Sequence, residues 1–343
     1  MDSITQAALG ATLAGAVAGK TLGRSALLTG AVLGTLPDLD VVIDYGTAVA
    51  NFTQHRGFSH SLLILVPLSI LLAWGLWRWK PQLSYQRWWL LTGLVLVTHP
   101  LLDAFTTYGT QLLWPFGSPV ALNSIFIIDP LYTLPLLTAV VVFLFRPGKP
   151  AALMAGLAVS SLYLGWTLVA QQVISDRVEP VLAAAGLADA PRMVQPMPLN
   201  TILWRVTVMT DERRVEVVTG FLDGDAPLNL EESPRDPALA QQARTLPEGM
   251  RLDWFTDGFL HYELKDDLLM VTDIRLGMPG AHPFTFVLAR DNGQWLEPAP
   301  SYQQDRPAIR AELFGALWAR MTGSAPVLCL ANLELPPPGE RCS

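Results

Sequence analysis

Six apolar segments fill the first half of the chain, and no other feature restricts its fold as strongly. They run roughly over residues 4–19, 25–43, 61–77, 88–105, 124–145 and 151–172. A helix crosses a bilayer with about 20 apolar residues, about 17 being the lower limit. The set therefore predicts an α-helical, polytopic membrane domain. Gly15 with Gly19 and Gly30 with Gly34 have the spacing that lets helix backbones approach closely. A re-entrant hairpin is the other arrangement open to the first two segments. A cleavable signal peptide is disfavoured, because Asp2 and no Lys or Arg precedes the first segment.

The charge distribution divides the chain. Residues 1–174 carry eight Lys/Arg and six acids, a formal charge of +2, and the remainder carries fifteen and twenty-four, a charge of −9. The reading is a membrane-embedded domain over 1–175, an amphipathic segment and Pro-rich linker over 176–199, and a water-soluble domain over 200–343. The acidic part argues against a nucleic-acid partner, which needs clustered Lys/Arg. In that part TILWRVTV, RRVEVVTGF, LHYEL, LLMVTDIRL and FTFVLA read as strands, with a turn at Asn292-Gly293. Helical stretches near 236–245 and 306–321 make it a small antiparallel α+β domain. His261 and His282 stand alone on strand-like stretches and read as structural. Cys329 and Cys342 could be joined, since an extracytoplasmic location permits a disulfide.

In a six-helix arrangement Lys20, Arg24, Arg78, Lys80, Arg87, Arg146 and Lys149 fall on one side, which the positive-inside rule makes cytoplasmic. The opposite side receives Asp2, Asp38, Asp40, Asp44, His55, Arg56, His60, Asp103 and Asp129, with His99 one turn below Asp103. This places the site and the C-terminal domain outside the cytoplasm. Ionisable groups at membrane depth are costly and functional by default. In HRGFSHSLL, Ser59 is a candidate helix N-cap, His55 belongs to the incoming loop and His60 to the first helical turn. His99 and Asp103 are four apart and share a helix face. Asp38 and Asp40 follow Pro37, where the second helix must end or bend.

Imidazole nitrogens and carboxylate oxygens are the usual ligands of catalytic zinc, and carboxylate-rich sets also suit manganese or magnesium. Asp38, Asp40, His55, His60, His99 and Asp103 are the candidate ligands, for one or two ions. Arg56 suits a phosphate-bearing substrate, because guanidinium pairs with phosphate in a bidentate way. Each piece taken singly has a structural reading: an interfacial histidine, a turn after a proline, a hydrogen-bonded pair on one helix. Asp129 reads equally as a cap or as a partner of the site. Tyr108 and Trp114 read first as interface anchors.

In their order along the chain, MDSITQAALG, LGTLPDLD, HRGFSHSL and HPLLDAFTTYGTQLLWPF resemble the bacterial membrane-bound metal-dependent hydrolases, also described as LexA-binding, inner-membrane-associated hydrolases. The likeness covers about residues 1–175. IFIIDPLYTLPLL and NTILWRV resemble a longer subgroup with an extra C-terminal domain. More remotely, the family is similar to zinc-dependent phospholipase C and P1-type nucleases, all-helical enzymes with a His-x-x-x-Asp helix. The resemblance implies a phospholipase C/P1-nuclease-like helical bundle. It maps His99 and Asp103 onto that pair, Asp38 or Asp40 onto an acidic ligand, and His55 or His60 onto a histidine ligand. Many members have Thr-His in the first helix where this chain has Thr5-Gln6, which puts a trinuclear cluster in doubt. A LexA partner conflicts with an outward-facing site and is not carried over.

The expected function is a metal-dependent hydrolase of a bacterial inner membrane, in contact with membrane lipids. It would cleave a phosphodiester or other ester of a lipid-like substrate at the outer leaflet with metal-activated water. Arg56 would stabilise developing charge, His60 would hold the metal at the reacting centre, and an acid such as Asp40 would move the proton. The alternative is a non-hydrolytic metal-binding scaffold, assembly factor or transporter. Nothing in the sequence names a protein partner.

Overall fold

The structure is a computed structural model that describes residues 1–293, 296–307, 311–323 and 329–331. By its contacts the chain forms two compact units. The first holds Met1–Ile43, Gln54–Val169 and Pro198–Asn200; the second holds Asp44–Thr53, Ala170–Met197 and Thr201–Ser343.

The first unit is helical. Its elements are α1 (Ser3–Leu22), α2 (Arg24–Thr35), a 3-10 turn over Pro37–Val42, and a shorter one over Phe58–His60. The short helix α3 (Ala48–Gln54) lies in sequence between these two turns. Then come α4 (Leu62–Trp79), α5 (Tyr85–Asp103), α6 (Pro130–Phe145) and α7 (Ala151–Ala184), whose residues from Ala170 on belong to the second unit. Of the six apolar segments expected, two form helices long and apolar enough to cross a membrane among the described residues, α4 and α7, and α6 is apolar but shorter. The other helices fall short for visible reasons. α2 has 12 residues because Pro37 ends it, and α5 carries Arg87, His99 and Asp103.

α1 and α2 form a tight hairpin. A Cβ on Gly10 would lie 2.2 Å from the Gly30 carbonyl oxygen, and one on Gly30 would lie 2.1 Å from that of Gly10, so only glycine allows this approach. The expected Gly30/Gly34 pair does lie at the contact, facing Gly10, and a Cβ on Gly34 would meet the Gln6 carbonyl oxygen at 2.6 Å. Gly15 instead faces Leu153 and Leu27, and Gly19 faces Phe143. The caps also differ from expectation. Ser61, not Ser59, caps α4 by accepting from the Leu63 N–H. Asp129 caps α6 by accepting from the Leu131 and Tyr132 N–H groups, and also takes the Tyr163 hydroxyl at 2.8 Å.

The second unit contains two four-stranded antiparallel meanders. One is β1 (Arg192–Pro196), β2 (Leu203–Met209), β3 (Arg213–Gly220) and β4 (Glu231–Pro234). After α8 (Pro237–Thr245) and α9 (Pro247–Thr256) comes the other: β5 (Leu260–Lys265), β6 (Leu268–Asp273), β7 (Thr285–Asp291) and β8 (Leu296–Gln303). The last helix is α10 (Ala311–Met321). Where an amphipathic segment and a Pro-rich linker were expected over 176–199, α7 continues unbroken to Ala184 and Arg192–Pro196 is a strand. The reason is burial. Ala170, Ile174, Val178 and Leu182 repeat at four-residue spacing and pack on Val194, Trp204, Val206, Val208, Val215 and Val217. The expected Cys329–Cys342 bond lies partly outside the described residues, which do not include Cys342.

Residues 44–53 belong to this second unit although they interrupt the first in sequence. Phe52 sits among Phe255, Phe284 and Phe286, with ring centroids 5.1, 4.6 and 5.2 Å away. Arg251 donates to the Thr53 hydroxyl at 3.0 Å.

Candidate metal centre

Four side chains from four stretches of the first unit meet at one point: Asp38 from the first 3-10 turn, His60 from the second, and His99 and Asp103 from α5. One ligand atom from each lies within 4.8 Å of every other. His60 Nε2 is 3.1 Å from His99 Nε2, 3.4 Å from Asp38 Oδ1 and 3.2 Å from Asp103 Oδ2. His99 Nε2 is 3.4 Å from Asp38 Oδ1 and 3.5 Å from Asp103 Oδ2. A tetrahedral zinc with bonds of about 2.0–2.1 Å sets its ligand atoms about 3.3–3.4 Å apart.

The hydrogen bonds around the histidines test whether a cation fits. His99 Nδ1 faces the Gly34 carbonyl oxygen at 2.6 Å, so it carries the proton and donates. That carbonyl belongs to the last turn of α2, where helical acceptors lack partners. Ser59 donates its hydroxyl proton to Asp40 Oδ2 at 2.6 Å, and is therefore free to accept from His60 Nδ1 at 2.9 Å. In their neutral forms both rings turn unprotonated Nε2 atoms toward each other. Two lone pairs at 3.1 Å repel unless a proton or a metal ion lies between them. Asp103 Oδ2, buried and without a hydrogen-bond partner, faces the same point. The residues present fit a divalent ion.

The expected ligands Asp40 and His55 do not join this group. Asp40 uses both oxygens on the loop that follows α3. Oδ1 meets His55 Nδ1 at 2.8 Å, while Oδ2 accepts from the Arg56 N–H at 3.0 Å and from Ser59. A carboxylate holding three donors orients its neighbours instead of coordinating. His55 stays outside the four atoms because its ring is bound to Asp40 and lies edge-on to Tyr108, with its centroid 6.0 Å from that of His60. Its side chain is 25% exposed.

Arg56 is buried and paired with Asp103. Its Nε is 3.3 Å from Asp103 Oδ2, NH1 donates to the Thr106 hydroxyl at 3.2 Å, and the guanidinium lies 5.0 Å over the Tyr108 ring. Tyr108 is thus a buried support, not an interface anchor. The backbone explains the HRG sequence. Arg56 takes φ 60, in the left-handed region, and a Cβ at Gly57 would lie 2.8 Å from the Gln54 carbonyl oxygen.

Two further residues contribute in roles the sequence did not assign them. Gln6 donates to Asp103 Oδ1 at 2.9 Å and to the His99 carbonyl at 3.1 Å. It therefore steadies a ligand carboxylate without coordinating. Ser59 links Asp40 to His60. The resemblance marks the position of Gln6, where many family members have histidine, and Ser59 directly precedes His60. In the second unit His282 is buried and donates Nδ1–H to the Leu276 carbonyl at 2.9 Å. Burial pushes it down to about 3 and His261 down to about 4, which keeps both neutral.

Comparison with known proteins gives the chain its relatives. A family model described as YdjM inner membrane protein matches residues 1–174. The uncharacterized protein YfhP of Bacillus subtilis (strain 168) is 27% identical over 308 residues, covering 84% of this chain and 90% of that protein. The inner membrane protein YbcI of Escherichia coli (strain K12) is 34% identical over 117 residues, 33% of this chain and 67% of that protein. No solved structure gives a significant match.

Proposed function

The chain belongs to the YdjM inner membrane protein family, and from that premise we propose that it is a membrane-bound, metal-dependent hydrolase. One observation carries the reading: the convergence of Asp38 Oδ1, His60 Nε2, His99 Nε2 and Asp103 Oδ2, with both histidine Nδ1 atoms committed as donors elsewhere. Zinc suits this set best, with manganese or magnesium as alternatives. When bound, the ion supplies Lewis acidity and an activated water.

The protein's own residues divide the remaining work. Asp40 and Ser59 fix the tautomer of His60, and Gly34 fixes that of His99. Gln6 and Arg56 hold Asp103 from two sides. Asp40 is not free to carry a proton, so His55 takes that role: it is partly exposed and aligned by Asp40.

A lipid-like ester, a phosphodiester first, is the proposed substrate. Asp38 is the one ligand with a partly exposed side chain, at 17%. Beside it in sequence, Leu39, Val41 and Val42 are 58%, 73% and 80% exposed. Access to the ion thus runs past apolar side chains, as an acyl chain requires. The polytopic arrangement and an outward-facing site are part of the same proposal. The cations Lys20, Arg24, Arg78, Lys80, Arg87, Arg146 and Lys149 lie at or beyond the helix ends opposite those bearing the site.

The test is hydrolysis of a panel of phospholipids and lipid esters by the detergent-purified chain loaded with zinc or manganese. The expected result is turnover that His60→Ala abolishes while the fold persists. Metal binding without turnover on any ester would favour the scaffold or transporter alternative, and turnover that survives His60→Ala would refute the assignment.

A further inference from the structure

We propose that the centre takes a single divalent ion, and that Arg56 holds the place a second ion would need beside Asp103. The inference rests on the metal reading above and decides its stoichiometry. Two ions that share a site share a carboxylate, and the ligand suited to that task is Asp103, which is fully buried. Its Oδ2 faces His60 and His99 on one side and the Arg56 Nε on the other, at 3.3 Å. Its Oδ1 accepts from Gln6 Nε2. A fixed positive charge therefore lies against the carboxylate where a second cation would bind.

Arg56 cannot swing aside to admit one. Its side chain is 3% exposed and is held by Thr106 and Tyr108. Its backbone is held as well: the N–H donates to Asp40 Oδ2 at 3.0 Å, and the carbonyl accepts from the Gln111 N–H at 3.0 Å. The carboxylates left over offer no second centre. Asp40 is saturated by His55, Arg56 and Ser59.

Charge balance points the same way. Among the side chains of fixed charge, Asp38, Asp40 and Asp103 supply three negative charges and Arg56 returns one positive charge. One divalent ion neutralises the remainder. A second would leave two uncompensated positive charges in a buried site, which is costly. The Met1 amino group, which also contacts Asp103 Oδ1, can add only positive charge to that sum and so weighs further against a second ion.

The experiment is native mass spectrometry of the full chain in detergent, titrated with zinc alone, for wild type, Arg56→Lys and Arg56→Gln. Wild type and Arg56→Lys are expected to saturate at one ion per chain. Arg56→Gln is expected to accept a second at higher zinc, because Asp103 and the unpartnered Gln6 Oε1 are then open to it. Two ions on wild type would overturn the proposal. So would a folded Arg56→Gln that still stops at one, since something other than Arg56 would then exclude the second ion. If Arg56→Gln does not fold, the wild-type count still decides the stoichiometry. No ion on wild type would defeat the metal reading itself, an outcome distinct from either.

Discussion

Ser59 and Ser61 stand two residues apart and do different work, so replacing each in turn tests the construction of the site. Ser59→Ala leaves Asp40 with His55 Nδ1 and the Arg56 N–H, so the carboxylate stays in place. What disappears is the acceptor for His60 Nδ1. The His60 ring can then move its proton to Nε2, the atom that faces His99 at 3.1 Å. Losing the partner that orients a metal-bound histidine typically costs 10–100-fold in metal affinity, or about 1.4–2.7 kcal/mol. Ser61→Ala removes the α4 cap and the hydrogen bond from its hydroxyl to the Trp114 carbonyl at 2.9 Å. That costs about 1–2 kcal/mol of stability and leaves all four ligand atoms untouched.

Both variants should therefore melt somewhat below wild type in the apo form, and melting alone does not separate them. Zinc affinity does. Competition with a chromogenic chelator should show Ser59→Ala weakened at least tenfold and Ser61→Ala within about twofold of wild type. Ser59→Thr, which keeps the hydroxyl, should recover most of the loss. Unchanged affinity in Ser59→Ala, or an equal loss in Ser61→Ala, would refute the argument that the Asp40–Ser59–His60 chain sets the protonation of the site.

Asp103→Ala should remove bound zinc, measured by elemental mass spectrometry. It should also destabilise the apo protein by about 3–5 kcal/mol, because Arg56 is left as an unpaired buried cation; a loss under 1 kcal/mol would mean the ion pair is not formed. Phe52→Ala should cost about 3–5 kcal/mol of the second unit's stability, read by denaturant unfolding with tryptophan fluorescence, since it removes a ring packed against three phenylalanines. His282 gives the second unit a pH dependence. Its folded pKa, about 3, lies below the ordinary 6.5, so its contribution is complete above about pH 6.5 and is lost as pH falls toward 3. Between pH 6.5 and pH 5 the loss is about 2 kcal/mol. His282→Gln should flatten the melting curve of that unit over this range, and an unchanged slope would contradict the burial argument.

The ligand set was legible because it rests on local rules. A His-x-x-x-Asp spacing puts His99 and Asp103 on one face of α5, and Pro37 forces a turn that displays Asp38. Such rules cannot sort Asp38 from Asp40 or His60 from His55, because each pair is separated by which neighbour takes the second oxygen or nitrogen. Asp40 was lost as a ligand to three donors spread over residues 55–59, and His55 was lost with it. The helical count suffered from the same limit: apolar composition marks α1, α2 and α5, but part of that composition serves helix–helix burial, as the Gly10–Gly30 contact shows. The strands that were missed, β1, β4 and β8, carry Pro196, Pro234 and Pro298, and proline argues against a strand until the partner strand is known. Residues 44–53 show most clearly what a linear reading loses. They connect Asp40 to His55 along the chain, yet they pack within the second unit. Within that unit the segment is held by Phe52 and Thr53.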